Sequence, residues 1–147
     1  MSSSSPRRRA RELVLQGLYE RQLSGSPTER IASDLAESQG YQRADQPYFV
    51  ELWRGAASDY DALLARVAPH LDRSAASLSP VERACLVIGA WELVHRLEIP
   101  YRVVINEAVE IAKLYGGTDG HKFVNGVLDK LAAELRAPES AALARER

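Results

Sequence analysis

A single cysteine, Cys85, excludes an internal disulfide, and its place inside an apolar run suits a reducing cytosol. No apolar stretch is long enough to span a bilayer, so no membrane helix is expected. The N-terminus, MSSSSPRRRAR, carries charge but lacks the apolar segment of a signal peptide, which points to a cytoplasmic protein. A large net excess of either charge is missing too. The formal net charge is −1, so any attraction for nucleic acid must come from local clusters.

Enzyme signatures are equally sparse. His70, His95 and His121 are scattered and Cys85 stands alone, so no metal site is expected. The glycines ahead of Lys122 lack the spacing of a phosphate loop, and no strand leads into them. Asp59 with Asp61, and Glu107 with Glu110, lie on segments rich in ordinary surface charge, where nothing divides acid from base roles. No nucleophile motif appears either, and no cofactor motif is found.

What is present is helical periodicity. At 147 residues, 46% hydrophobic and 27% charged, the chain has the length of one domain and a globular balance. Residues 1–5 read as a flexible tail, and Pro6 opens a helix to about Ser24 with Ala10, Leu13, Val14, Gly17 and Leu18 as its core stripe. A short helix follows over about 28–39, with Ile31 and Leu35 inward. Asp45 then caps a longer one, whose apolar positions from Tyr48 to Val67 repeat until Pro69. After the linker DRSAASLSP, Ser79 and Glu82 form an S-x-x-E capping box with Pro80 at the first helical position.

The segment 80–97 that follows is apolar on nearly all sides and should be central. Glu92 lies among its apolar residues and is expected to reach a hydrogen-bond donor. Two more helices follow, over VVINEAVEIAKLY and from the GTDGHKF segment to Pro138, with residues 138–147 frayed. No segment alternates as a strand. The expectation is an all-α protein, a compact bundle of about seven helices in subdomains of about 6–71 and 78–137.

Two places invite contact. Arg7, Arg8, Arg9 and Arg11 precede the first acidic residue, Glu12, and Leu15 and Tyr19 fall on the same outer face as Arg8. Arginines beside an aromatic suit single-stranded nucleic acid, and the same apolar patch equally suits a protein partner. In the last helix, Val124, Val127, Leu128, Leu131 and Leu135 form the core stripe, and Phe123 lies roughly 90° from its centre, at the rim. Asp119 can cap this helix, Lys122 adds charge, and the glycine break can leave amides for phosphate.

The residues RRRAR…LYE, SPVERACLVIGAWEL, VVINEAVEIAK and above all HKFVNGVLDK resemble the bacterial transcription antitermination factor NusB family, over about 6–135. The resemblance implies a helical fold of two subdomains and a non-enzymatic role. That role is binding the boxA element of ribosomal RNA leaders as a heterodimer with the ribosomal protein NusE. The complex works with other Nus factors on the transcription elongation complex and promotes processive transcription of ribosomal RNA operons. Arg7, Arg8, Arg9 and Arg11 match the family's arginine-rich start, and Lys122 and Phe123, with Asp119 beside them, match its second RNA-facing segment. Tyr19 and Glu82, with Leu15 and Leu23 on the face of Tyr19, match the side turned to the ribosomal protein.

Gly120 departs from the family, where serine is common, and the C-terminal tail matches nothing. Some relatives pair with themselves, so a homodimer belongs among the expectations. Two other readings stay open. One is a helical protein-binding adaptor without RNA contact; the other is a NusB-like N-terminal module of an RNA methyltransferase, which would continue into a cofactor-binding domain.

Overall fold

The computed structural model describes residues 5–139; of the tails expected at 1–5 and 138–147, only residues 5, 138 and 139 lie within that range. Among the described residues every regular element is helical. The chain divides into two compact units, one up to Tyr60 and one from Asp61. This boundary lies upstream of the DRSAASLSP linker, so most of the segment 60–71 belongs to the second unit.

The first unit holds α1 (Pro6–Ser24), α2 (Thr28–Ala36), a 3-10 turn at Gln39–Arg43 and α3 (Gln46–Ser58). Ser5 is not a loose tail residue but the cap of α1, its hydroxyl accepting from the Arg8 amide at 3.1 Å. The core stripe forms as its spacing predicts, with Ala10, Leu13, Val14, Gly17 and Leu18 buried. Gly17 is required by contact: a Cβ there would lie 2.5 Å from the Trp53 ring, so the glycine lets α3 approach α1. The Trp53 indole in turn donates to the Thr28 carbonyl at 3.2 Å, and Arg21 donates to the Ala57 carbonyl at 2.6 Å. At the other end of α1, the Asp45 amide donates to the Pro6 carbonyl, and the Asp45 carboxylate caps α3 through the Tyr48 amide.

The long helix expected from Asp45 to Pro69 is interrupted. α3 stops at Ser58, and α4 (Tyr60–Val67) begins after Asp59, whose backbone leaves helical geometry at φ −103° and ψ 20°. The Asp59 amide still donates to the Gly55 carbonyl at 3.0 Å, and the Ser58 hydroxyl donates to the Asp59 carboxylate at the break. α2 also ends earlier than its apolar pattern predicts, giving way to the 3-10 turn.

The second unit packs α6 (Tyr101–Tyr115) and α7 (Gly120–Leu135) on α5 (Pro80–His95). The capping box closes as predicted: the Ser79 hydroxyl accepts from the Glu82 amide, and the Glu82 carboxylate accepts from the Ser79 amide, each at 3.1 Å. Every residue from Ala84 to Leu93 is buried, so α5 is the central element that its all-round apolar composition predicts. Gly89 faces Leu128, where a Cβ would come within 2.7 Å of the leucine. The 3-10 turn that follows α4, Ala68–His70, is tied to α7 through His70 Nε2 and Glu134 Oε1, 3.0 Å apart.

α7 ends at Leu135, short of Pro138, and the next residue is a buried arginine. Arg136 donates to the carbonyls of Glu92, Leu93, Arg96 and Ile99 at 2.9–3.3 Å, and to the Glu139 carboxylate at 2.8 Å. The other carboxylate oxygen of Glu139 accepts from the Tyr101 amide at 2.9 Å. One guanidinium thus closes the C-terminus of α5, and its acidic partner closes the start of α6, satisfying groups that helix ends leave unmet. Glu92 itself is 1% exposed, in keeping with its place among apolar residues.

Candidate nucleic-acid interface

On the first unit the candidate residues lie along α1. The Arg7 guanidinium rests 4.3 Å from the Tyr48 ring centre and 3.8 Å from Asp45, with 40% of its side chain exposed. Arg8 and Arg9 are half-buried, and Arg9 borders a polar cleft of about 710 Å³ lined also by Gln39, Gln42 and Arg43. Arg11 does not join them. It is 3% exposed, on the inner side of the helix, with its guanidinium 5.6 Å from the Tyr48 ring, and is removed from the solvent-facing set.

Leu15 also departs from expectation. It is 2% exposed although it lies away from the main stripe, because α1 is packed by α2, the 3-10 turn and α3 and is not a one-faced surface helix. Tyr19 at 42% and Leu23 at 62% are exposed, one turn apart, and form the apolar strip that remains. Eleven residues separate Arg8 from Tyr19, which at 1.5 Å per residue places them about 17 Å apart along the axis. The basic and apolar parts of α1 are therefore distinct patches.

On the second unit the candidates gather where α5 and α7 begin. Lys122 is exposed, its ammonium 3.5 Å from the Asp119 carboxylate. Asp119 occupies the cap position of α7, but its side chain accepts no capping hydrogen bond; its backbone carbonyl accepts from the Lys122 and Phe123 amides instead. Those amides are consequently not free for phosphate, and neither is that of Gly120, which donates to the Gly117 carbonyl. Of the amides that the glycine break is expected to leave for phosphate, these three are taken up by the backbone.

Phe123 is half-buried, whereas Val124 beside it is fully buried. Over the phenyl ring lies Arg73, its guanidinium carbon 4.3 Å from the ring centre, while its Nε donates to Asp72 at 2.9 Å. That hydrogen bond lowers the Asp72 carboxyl below the ordinary range and, together with the nearby carboxylates, raises Arg73 further. Arg73 is a residue that periodicity passes over, since it lies in a linker and no pattern pairs it with a phenylalanine far downstream. Glu82 reaches the same corner. A Cβ at Gly120 would stand 3.2 Å from its carboxylate oxygen, so the glycine gives Glu82 room at the start of α7. Cys85, one turn further on, is inert as a nucleophile: burial, then the charge of Glu82, pushes its thiol up to about 12.

Among the described residues, no group of three or more His, Cys, Asp or Glu side chains is placed to hold a metal ion, and no helix is long and apolar enough to cross a membrane.

These features define an all-α protein that presents basic and aromatic side chains on its helices and the turns between them. The NusB family pattern matches residues 8–133, and the chain belongs to the NusB family. The transcription antitermination protein NusB of Paraburkholderia phymatum is 55% identical over 142 residues, covering 97% of this chain and 98% of that one. The protein of the same name from Aromatoleum aromaticum is 51% identical with the same coverage. Among solved structures, T. maritima NusB superimposes with a TM-score of 0.78 at 31% identity, covering 90% of this chain and 94% of that one. A chain from the crystal structure of antitermination factors NusB and NusE in complex with dsRNA gives 0.77 at 26% identity, covering 84% and 93%.

Proposed function

We propose that this protein is a cytoplasmic, non-enzymatic antitermination factor that binds the boxA element of ribosomal RNA leaders together with NusE. The observation that carries this reading is the 55% identity to an antitermination NusB, which runs through nearly the full length of both chains. A solved relative that assembles with NusE and RNA supports the choice of partners. In this reading Arg7, Arg8 and Arg9 on the first unit and Lys122 and Phe123 on the second face RNA, with Asp119 holding Lys122. Tyr19 and Leu23 on the first unit and Glu82 on the second face NusE. Phosphate contacts supply affinity and orientation, and stacked bases supply the rest.

Filter binding of a boxA RNA, with and without NusE, tests the reading. RNA retention that rises when NusE is added is the expected result. NusE binding without RNA retention in either condition would support an adaptor that makes no RNA contact.

A further inference from the structure

At its corner of the second unit, one side of the half-buried Phe123 ring carries Arg73. The guanidinium carbon stands 4.3 Å from the ring centre, within the distance at which a cation is held by an aromatic quadrupole. Asp72 takes the Nε hydrogen at 2.9 Å and so fixes the plane of the group from its edge. Even so, 46% of the Arg73 side chain remains exposed, and among the described residues no hydrogen bond or ion pair engages its Nη groups. A planar cation held over a phenyl ring, with unengaged Nη donors, suits a nucleobase and its phosphate, since bases stack on guanidinium planes as they do on aromatics.

We infer that Arg73 is an RNA-contacting residue: a base of single-stranded RNA stacks on its guanidinium, which is itself stacked on Phe123, and an Nη group meets the adjoining phosphate. The inference rests on the RNA-binding function proposed above and names the surface that the RNA meets on the second unit. Phe123 then acts chiefly as the support beneath Arg73. Lys122, exposed one residue earlier, adds charge beside the stack.

Filter binding of a boxA RNA oligonucleotide in the presence of NusE, over a range of salt, separates this arrangement from its rivals. Arg73→Ala should weaken RNA binding about tenfold, with a shallower log–log salt slope by about one and an unchanged melting temperature. Arg73→Lys should restore the slope but not the affinity, because an ammonium carries the charge without the plane. The double variant Arg73→Ala with Phe123→Ala should lose little more than the worse single variant, since the two side chains form one stack.

RNA affinity of Arg73→Ala within twofold of wild type would overturn the inference while leaving the antitermination reading intact. So would wild-type affinity in Arg73→Lys, full additivity in the double variant, or a loss confined to NusE binding. Wild-type protein that retains no boxA RNA with NusE present would overturn both.

Discussion

Replacing Arg136 by alanine strips a hydrogen-bond donor from four carbonyls at once, at the end of α5 and in the segment leading to α6. The Glu92 and Arg96 carbonyls still accept from the Arg96 and Ile99 amides, so the loss falls on the Leu93 and Ile99 carbonyls. At roughly 1–3 kcal/mol for each buried group left unmet, partly offset by water entering the gap, a net loss of about 3 kcal/mol is expected in urea unfolding. Arg136→Lys should recover only part of it, because a single ammonium cannot span the set. Nothing in the sequence pattern marks this residue: it follows the last apolar position of α7, where an arginine ordinarily reads as a solvated end. Cys85 is a smaller case with a clear sign. Its thiol is raised from 9.0 to about 12 in the fold, so the unfolded chain loses its proton first. The contribution is flat below about pH 9, and stability falls as pH rises from there toward 12. Urea melts at pH 7 and 10 should show a steeper loss for wild type than for Cys85→Ala.

At the level of single helices, the arginines of α1 act through charge that Arg11 no longer supplies. Arg8→Ala with Arg9→Ala should lower the magnitude of the log–log salt slope for boxA RNA by about one while leaving helicity unchanged. An unaltered slope and affinity would return the pair to the status of a solvated helix end. Glu82 has two duties in α5, as the acid of the capping box and as a neighbour of Gly120. Glu82→Lys should therefore cost about 1 kcal/mol of stability as well as weakening NusE binding, and a melt beside a calorimetric titration separates the two effects. Helices with strong terminal signals were legible from sequence: the Ser79 box, the Asp45 cap and the stripe of α1 form as their spacing predicts. The break after Ser58 was not, because the apolar period runs through it and only two adjacent polar residues mark the interruption. Leu15 was misread for a related reason. A helical wheel identifies the most apolar face but does not report that a helix is packed on more than one.

For the whole molecule, the proposed division of labour has a distinctive signature. Tyr19→Asp should abolish the gain in RNA affinity that NusE confers while leaving the affinity of the protein alone within about twofold. The double arginine variant should lower RNA affinity in both conditions by the same factor. Filter binding of the two variants with and without NusE checks this, and equal behaviour would merge the two patches of α1 into one. The class of fold and the candidate segments were readable because period and motif are local properties. The Arg73–Phe123 stack and the Arg136 closure were not, since each joins residues far apart in the chain that no repeat connects. The Arg136 closure also bears on the order in which the protein comes into being. As the chain leaves the ribosome, α5 emerges with its terminal carbonyls lacking their guanidinium, and they stay so until translation has passed through α7 to codon 136. The elements of the first unit are all encoded before α5, so the nascent second unit is the part that must wait, and the part on which chaperones have the longest opportunity to act.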